Sequence, residues 1–406
     1  MAESGSTGRK AVKEAKLPKW DWVLLPMLSL LTICLIPVST ELISRWRYST
    51  LKRSIIDDCM VLDAPPGDFR TIPNSVCWNK TPESPLAEYR FNSCGHRAGM
   101  ECEPKPKGTF RIVMAGSSIA MGWSASREET FAALLPVELS RQTGRKVELY
   151  NEGMFLQKPK NLDLRFNAVL AAKPDLVLWV LTPWDIQLTV PDRVMPAEPG
   201  FLGRTRYRVK EAVASKSIPN VAQEILDAGR EIMADTSTGL LLEHFLYKSQ
   251  SQYVKSYLRS GDVEAGFLKN EQSARWQSCL RNFEMYAADI ELRANTAGVP
   301  LVAVLIPNRA QAAMLSTGDW PADYDPYKLD SELRTIITRH GGIYVDILPD
   351  YRDVPNPEEG YFPVNGHPNA EGHATISRLM AKELTGGAVP ALRVGAQPLD
   401  VLAKEK

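Results

Sequence analysis

The stretch FRIVMAGSSIAMGWSASREETFAALL (residues 110–135) decides the fold of this 406-residue chain. Its first seven residues form an apolar run that ends in glycine, which is typical of a strand buried inside a sheet. Ser126 and Glu129 then form a capping-box pattern, and apolar residues recur at helical spacing to about Arg141. The stretch therefore predicts a strand, a loop of small residues and a helix.

Strand and helix patterns alternate along the rest of the chain. Further apolar runs predict strands at residues 147–151, 175–182, 299–307 and 342–348. Helical patterns lie at residues 161–172, 272–297, 328–339 and 369–384. This alternation predicts a three-layer α/β fold, in which helices cover both faces of a mostly parallel five-stranded sheet. Between residues 187 and 270 the alternation stops, and we expect a helical insertion or lid there.

The N-terminal region predicts a membrane anchor. Residues 22–40 contain no charged side chain, and nineteen residues at about 1.5 Å each just span the hydrocarbon core of a bilayer. We predict a cytoplasmic tail at 1–21 and a single transmembrane helix at 22–43. The alternative is a cleaved signal peptide, which the length of the run and the lack of a small-residue cleavage site disfavour.

Four of the six cysteines cluster after the apolar run, namely Cys59, Cys77, Cys94 and Cys102. None belongs to a C-x-x-C pair, so two disulfides in an oxidising compartment are favoured over a zinc site. The sequence leaves all three pairings open. We therefore predict a Cys- and Pro-rich stalk at residues 44–108 that carries an extracytoplasmic, periplasmic domain.

Composition excludes some classes of partner. Lys+Arg and Asp+Glu both number 48, so no basic excess indicates nucleic-acid binding. The five histidines show no metal-ligand spacing, and we predict neither a metal nor a cofactor. The oligomeric state stays open.

Candidate chemistry lies at the predicted strand ends, because ligands bind at the carboxyl edge of such sheets. Ser118 follows the first predicted strand, and His367 precedes the last predicted helix. A hydroxyl nucleophile needs an adjacent base, and imidazole is the usual one. The sequence thus predicts that these two side chains meet.

These loops, taken in order, resemble the sequence blocks of the SGNH (GDSL-like) hydrolases. RIVMAGSSIAMG resembles block I, YNEGM block II, PDLVLWVLTPWDI the strand leading into block III, and YFPVNGHPNAEGHATI block V. The resemblance covers roughly residues 90–385. It implies a flavodoxin-like SGNH hydrolase fold, which we place at residues 109–390 and follow with a C-terminal tail at 391–406.

The resemblance also implies roles for individual residues. Ser118 falls on the family's nucleophile and His367 on its base. The oxyanion hole would consist of the backbone N–H groups of Ser118 and Gly153.

Three positions depart from the family pattern. Ser117 replaces the Asp of Gly-Asp-Ser, Trp184 replaces the oxyanion-binding Asn of block III, and Asn365 is nearest to the missing acid. Asp346, after a late strand, is a candidate to replace that acid. Trp184 and Asp185 are expected at a strand end, either as structural residues or as a wall of the pocket.

Two functions follow from these patterns. The first is a serine esterase or O-acyltransferase that acts on acyl esters, in particular acetyl esters, of a carbohydrate, a cell-envelope polymer or a small molecule. The alternative is a catalytically impaired SGNH-like protein that binds glycan or acts in an envelope assembly. A Ser118–His367 distance of about 3 Å favours the enzyme, whereas a gap beyond about 6 Å filled by Trp184 favours the binder.

Overall fold

A parallel five-stranded sheet forms the centre of the fold. The computed structural model describes residues 20–49, 58–62, 69–81, 83–189 and 237–395. The strands among these residues are β1 Met60–Leu62, β2 Phe69–Thr71, β3 Val76–Asn79, β4 Ala87–Arg90, β5 Thr109–Gly116, β6 Lys146–Asn151, β7 Leu176–Leu181, β8 Leu301–Leu305 and β9 Ile343–Val345.

The central sheet has the strand order β6-β5-β7-β8-β9, and every neighbouring pair is parallel. Every residue of β5, β7 and β8 is buried, because parallel strands carry helices on both faces and so consist of continuous apolar runs. The chain order reverses on either side of β5, which creates a switch point between the carboxyl ends of β5 and β7. The predicted three-layer α/β fold with a five-stranded sheet is confirmed.

Twelve α-helices lie within the described residues. They are α1 Asp21–Ser49, α2 Ser118–Met121, α3 Phe131–Thr143, α4 Pro159–Ala171, α5 Pro183–Gln187, α6 Ser237–Leu246, α7 Gln250–Leu258, α8 Asp262–Ala265, α9 Ala274–Thr296, α10 Arg309–Thr317, α11 Lys328–Arg339 and α12 Ala370–Glu383. On one face of the sheet α3 packs against α12, and on the other α9 packs against α4 and α11.

Helix α3 begins later than its capping-box pattern predicts. The side chain of Thr130 accepts a hydrogen bond from Ala133 N and caps α3, whereas Ser126 precedes a short 3-10 turn and makes no side-chain cap bond. Ser126 and Thr130 are both residue types that cap helices. Thr130 caps α3 because it directly precedes the buried Phe131, and a helix that begins there packs its apolar face on the sheet.

Helix α1 contains the predicted anchor. Its segment Asp21–Ile43 is long and apolar enough to cross a membrane, and none of that segment is buried against the protein. An exposed apolar surface of this size needs lipid or another protein to cover it. Helix α1 is therefore a candidate membrane span.

Two disulfides join the four clustered cysteines. Cys59 pairs with Cys77 and Cys94 with Cys102, with Cα–Cα distances of 6.1 and 5.7 Å. The structure thus selects one of the three pairings that the sequence left open. Two disulfides fit an oxidising, extracytoplasmic compartment.

The predicted stalk at residues 44–108 differs from the structure over its described second half. Strands β3 and β4 form an antiparallel hairpin, and the buried Tyr89 on β4 donates a hydrogen bond to Gly122 O and accepts one from Ser124 N. These residues cover the sheet domain instead of extending away from it. Aromatic side chains in the Pro-rich segment stabilise this packing by burying their rings.

The described part of the predicted 187–270 insertion consists of α6, α7 and α8. Helix α7 packs against α10 beside the carboxyl edge of the sheet. The remainder of the insertion, residues 190–236, lies outside the described residues, as do 1–19 and 396–406 of the two predicted tails.

Candidate active site

A tight turn places Ser118 at the switch point of the sheet. Strand β5 ends at Gly116, whose φ of +152° is one that residues with a Cβ rarely adopt. A Cβ there would lie 2.5 Å from Val180 O and 2.8 Å from the Ala120 side chain. Glycine therefore allows the chain to turn directly from β5 into α2, whose first residue is Ser118.

Ser118 and His367 meet as the sequence predicted. Their Oγ and Nε2 atoms are 2.8 Å apart, across 249 residues of sequence. On the far side of the ring, Nδ1 lies 2.6 Å from Asn365 Oδ1. Because the amide oxygen only accepts, Nδ1 carries the proton, and Nε2 is left to accept the Ser118 hydroxyl hydrogen.

The imidazole is held in its neutral form. The His367 side chain is half-buried at the wall of a pocket and is surrounded by protein atoms. Because this surrounding disfavours the charged form, it lowers the pKa of His367 to about 4. Among the described residues, the group behind the ring is the uncharged amide of Asn365 and not a carboxylate. A neutral ring near pH 7 has the protonation state that a general base requires.

The carboxylate of Glu83, which was not predicted from the sequence as a site residue, holds the loop that carries His367. The Glu83 side chain is 3% exposed and accepts hydrogen bonds from the backbone N–H groups of Val364, at 3.1 Å, and Asn365, at 2.7 Å. It also lies 2.8 Å from His244 Nδ1 on α6. No local pattern marks Glu83, since its partners lie 161 to 282 residues away in sequence.

A second missed residue supports the loop behind the nucleophile. Arg97 is buried, and its guanidinium donates to four backbone carbonyls, those of Met121, Gly122, Glu88 and Ala125. Carbonyls at the end of a helix have no intrahelical donor, so a buried guanidinium satisfies several of them at once. Arg97 ends the stretch YRFNSCGHR (residues 89–97), which has no local pattern that marks it as a site residue.

Gly153 does not present a free donor to the pocket, contrary to its predicted oxyanion role. Its N–H donates to Asn151 Oδ1 at 2.8 Å, and Gly153 is buried against the backbone of α2, where a Cβ would lie 2.5 Å from Met121 N. Packing behind α2, rather than substrate contact, explains the glycine. The backbone N–H of Ser118, at the first turn of α2, is the predicted donor that remains.

Trp184 and Asp185 lie at the carboxyl end of β7, as predicted. The Trp184 ring is 49% exposed and lines the pocket without separating Ser118 from His367. Asp185 is buried, and Thr182 donates to its carboxylate from both N and Oγ1. Burial raises the pKa of Asp185 to about 6, and the hydrogen bond from the Ser117 hydroxyl offsets part of that rise.

Asp346 does not replace the missing acid. Its carboxylate pairs with the Arg334 guanidinium on α11 and accepts from Leu348 N, whereas the ring of His367 is bonded to Asn365. Strand β9 lies at the sheet edge, far along the strand order from the switch point. The residue behind the imidazole is therefore an amide and not a carboxylate.

A cavity of about 420 Å³ opens beside the pair. Ser118 and His367 form part of its wall, together with apolar side chains such as Phe155 and Ile306. Helix α7 adds a polar and aromatic wall that includes Tyr253 and Tyr257. A pocket of this volume can hold a small organic ligand.

Comparisons with solved structures find an α/β hydrolase, an acetyl xylan esterase and a protein described as lipolytic, all at low sequence identity. The α/β hydrolase LAE5 from the metagenome of Lake Arreo is 15% identical, with a TM-score of 0.37, and the match covers 70% of this chain and 96% of that one. An acetyl xylan esterase from Geobacillus stearothermophilus is 11% identical, with a TM-score of 0.35 over 68% and 94%. A protein described as a lipolytic member of the G-D-S-L family from Desulfitobacterium hafniense is 11% identical, with a TM-score of 0.31 over 68% and 99%. No family model and no curated protein matches the sequence.

Fold and site together define an α/β protein with a serine–histidine pair at the switch point of a parallel sheet. Ser118 and His367, whose proximity the sequence predicted, form this pair.

Proposed function

We propose that this protein is an extracytoplasmic serine esterase or O-acyltransferase that acts on acyl esters, in particular acetyl esters, of a carbohydrate or cell-envelope polymer. The observation that carries the proposal is the 2.8 Å contact between Ser118 Oγ and His367 Nε2 beside an open pocket. A nucleophile, a neutral base and a group that orients the base are the parts that acyl transfer requires.

The geometry supports a two-step reaction. His367 Nε2 takes the hydroxyl proton while Ser118 Oγ attacks the acyl carbon, and His367 then returns the proton to the leaving alkoxide. This leaves an acyl group on Ser118. Water or a sugar hydroxyl gives its proton to His367 and attacks the acyl carbon. The bond between the acyl carbon and Ser118 Oγ then breaks, and His367 returns the proton to Oγ, which frees Ser118 and releases either the acid or a new ester.

The location of this reaction is part of the proposal. Helix α1 would cross the membrane once, and the two disulfides support placing the sheet domain in the periplasm. A polymer of the cell envelope is then the acylated carbohydrate that an anchored enzyme could reach.

A fluorophosphonate probe tests whether Ser118 is nucleophilic. We expect the wild-type protein to form one adduct, which peptide mass spectrometry locates on Ser118. The Ser118→Ala variant should form none, whereas the adjacent Ser117→Ala should still be labelled, because Ser117 faces Asp185 and not His367. An unlabelled wild type, or equal labelling of Ser118→Ala, would contradict the proposal.

A non-catalytic glycan-binding protein is the second candidate. The amide of Asn365 in place of an acid, and the engaged N–H of Gly153, favour it, since the loss of an acid or of an oxyanion donor slows acyl transfer strongly. Glycan binding that persists in Ser118→Ala, together with an unlabelled wild type, is the result expected of this candidate.

The acidic limb of the pH–rate profile reports on His367. We expect kcat/KM of the wild type to fall only near pH 4, because the ring stays neutral down to its lowered pKa of about 4. In Asn365→Asp a carboxylate would stabilise the imidazolium, so the pKa should rise and the limb should move up by about one pH unit or more. The rate at pH 8 should also rise, by about tenfold.

Asn369→Asp is the matched control for that prediction. It adds the same charge two residues beyond His367, but its side chain caps α12 by accepting from Glu371 N and Gly372 N. If the acidic limb of kcat/KM lies at the same pH in Asn365→Asp and in Asn369→Asp, the group that titrates in this limb is not His367.

A further inference from the structure

Helix α6 presents an apolar stripe that the described part of the chain leaves uncovered. Leu241, Leu242, Phe245 and Leu246 are 42%, 53%, 67% and 47% exposed. Thr238 belongs to the same stripe, since residues three, four and seven positions apart share one face of a helix. Four large apolar side chains on ten residues form more than the scattered exposure usual on a protein surface.

The stripe lies beside the outer end of the candidate membrane span. Thr238 Oγ1 donates to Pro37 O at 3.1 Å, and Thr238 N donates to Glu41 Oε2 at 3.3 Å. Pro37 and Glu41 belong to the last two turns of the segment Asp21–Ile43. Helix α6 therefore begins at the level where the span would leave the bilayer.

The opposite face of α6 is tied to the candidate active site. His244 contacts Glu83, the carboxylate that holds the loop of His367. Tyr247, directly after α6, lines the pocket. One helix thus connects the end of the span to the wall of the pocket.

We propose that α6 lies in the outer surface layer of the bilayer that α1 crosses, with Leu241, Leu242 and Phe245 among the lipid headgroups and acyl chains. A helix with one apolar face binds at this depth because its side chains leave water while its polar face stays hydrated. The occupant is lipid, since among the described elements α6 has its main contact with the apolar helix α1. This surface would hold the pocket close to the membrane, and the proposal rests on α1 as a span.

Lipid quenching of a fluorescent label in the full-length protein tests this surface. The protein would be reconstituted in vesicles of phosphatidylethanolamine and phosphatidylglycerol, with and without brominated acyl chains. A nitrobenzoxadiazole maleimide would label native Cys34, which is exposed on α1, or a cysteine introduced by Phe245→Cys or Val137→Cys in a Cys34→Ala background. Cys279 is buried and the other four cysteines form disulfides, so they should not react.

Val137 is a matched control, because it is 68% exposed on α3 and Phe245 is 67% exposed on α6. We expect brominated lipid to quench the labels at positions 34 and 245 at least about twofold more than the label at position 137. Quenching at position 34 without quenching at 245 would overturn the proposal for α6. No quenching at position 34 would overturn the span and this proposal together. Neither result depends on activity, so both are distinct from a failure of the proposed function.

Discussion

Replacing Glu83 with alanine is expected to lower kcat for an aryl acetate about 100-fold while KM changes little, because small misplacements of a base are costly. The Glu83 side chain contacts neither the Ser118 nor the His367 side chain. Its carboxylate accepts hydrogen bonds from the backbone N–H groups of Val364 and Asn365. These bonds fix the loop from which His367 reaches Ser118. Without the carboxylate these two donors lose their partner, and the loop loses bonds to a charged group that contribute about 1.5–3 kcal/mol each.

Two variants separate positioning by Glu83 from a general loss of stability. Glu83→Gln keeps one acceptor oxygen and should lose only about tenfold in kcat. His244→Ala removes the neighbouring contact with His244 Nδ1 and leaves both backbone bonds in place. It should change kcat less than about threefold. Steady-state kinetics with parallel melting curves measure these effects. A kcat for Glu83→Ala within about twofold of wild type would show that the loop holds its position without Glu83.

Replacing Glu291 with glutamine is expected to raise the free energy of unfolding at pH 7 by about 3 kcal/mol. Glu291 lies on α9 and is fully buried, and neither of its oxygens has a hydrogen-bond partner among the described residues. Burial raises its pKa from 4.5 to about 8.

The sign of this effect follows from proton binding. Between pH 4.5 and pH 8 the folded chain holds a proton on Glu291 that the unfolded chain has released, so stability falls as the pH rises. Each pH unit in this window costs about 1.4 kcal/mol. Glutamine has the same shape and never ionises, so the gain should disappear near pH 4.5.

Urea unfolding in detergent, followed by tryptophan fluorescence at several pH values, measures the difference. Glu284→Gln is the control on the same helix, since that side chain is partly exposed and pairs with Arg339, and it should change stability by less than about 1 kcal/mol. A pH-independent effect of Glu291→Gln, or a loss of stability at pH 7, would show that Glu291 is ionised or bonded in the folded protein.

The helices show where sequence patterns succeed and fail. The helix predicted at 328–339 has the bounds of α11, because one face packs on the protein and the other is solvated. Helix α10 was not predicted. Its residues Arg309–Leu315 are all buried, so no polar face remains to produce a helical period.

The same limit applies to the site. Ser118 and His367 could be predicted because each lies in a loop next to a recognisable strand or helix, at the edge where sites form. Asp346 met the same local criterion and proved to pair with Arg334. Gly153 met it as well, yet its N–H donates to Asn151. Position at a strand end predicts proximity to the site but not the partner of each side chain.

By itself the sequence determined the parallel sheet, the candidate span and the pairing of Ser118 with His367, because apolar runs and strand-end loops are local patterns that burial imposes. Only the tertiary structure decided that Asn365 stands behind the imidazole, that Glu83 holds its loop and that α6 adjoins α1. These contacts join elements that are packed by the whole fold, and a polar side chain carries no local signal of the distant backbone group it will meet.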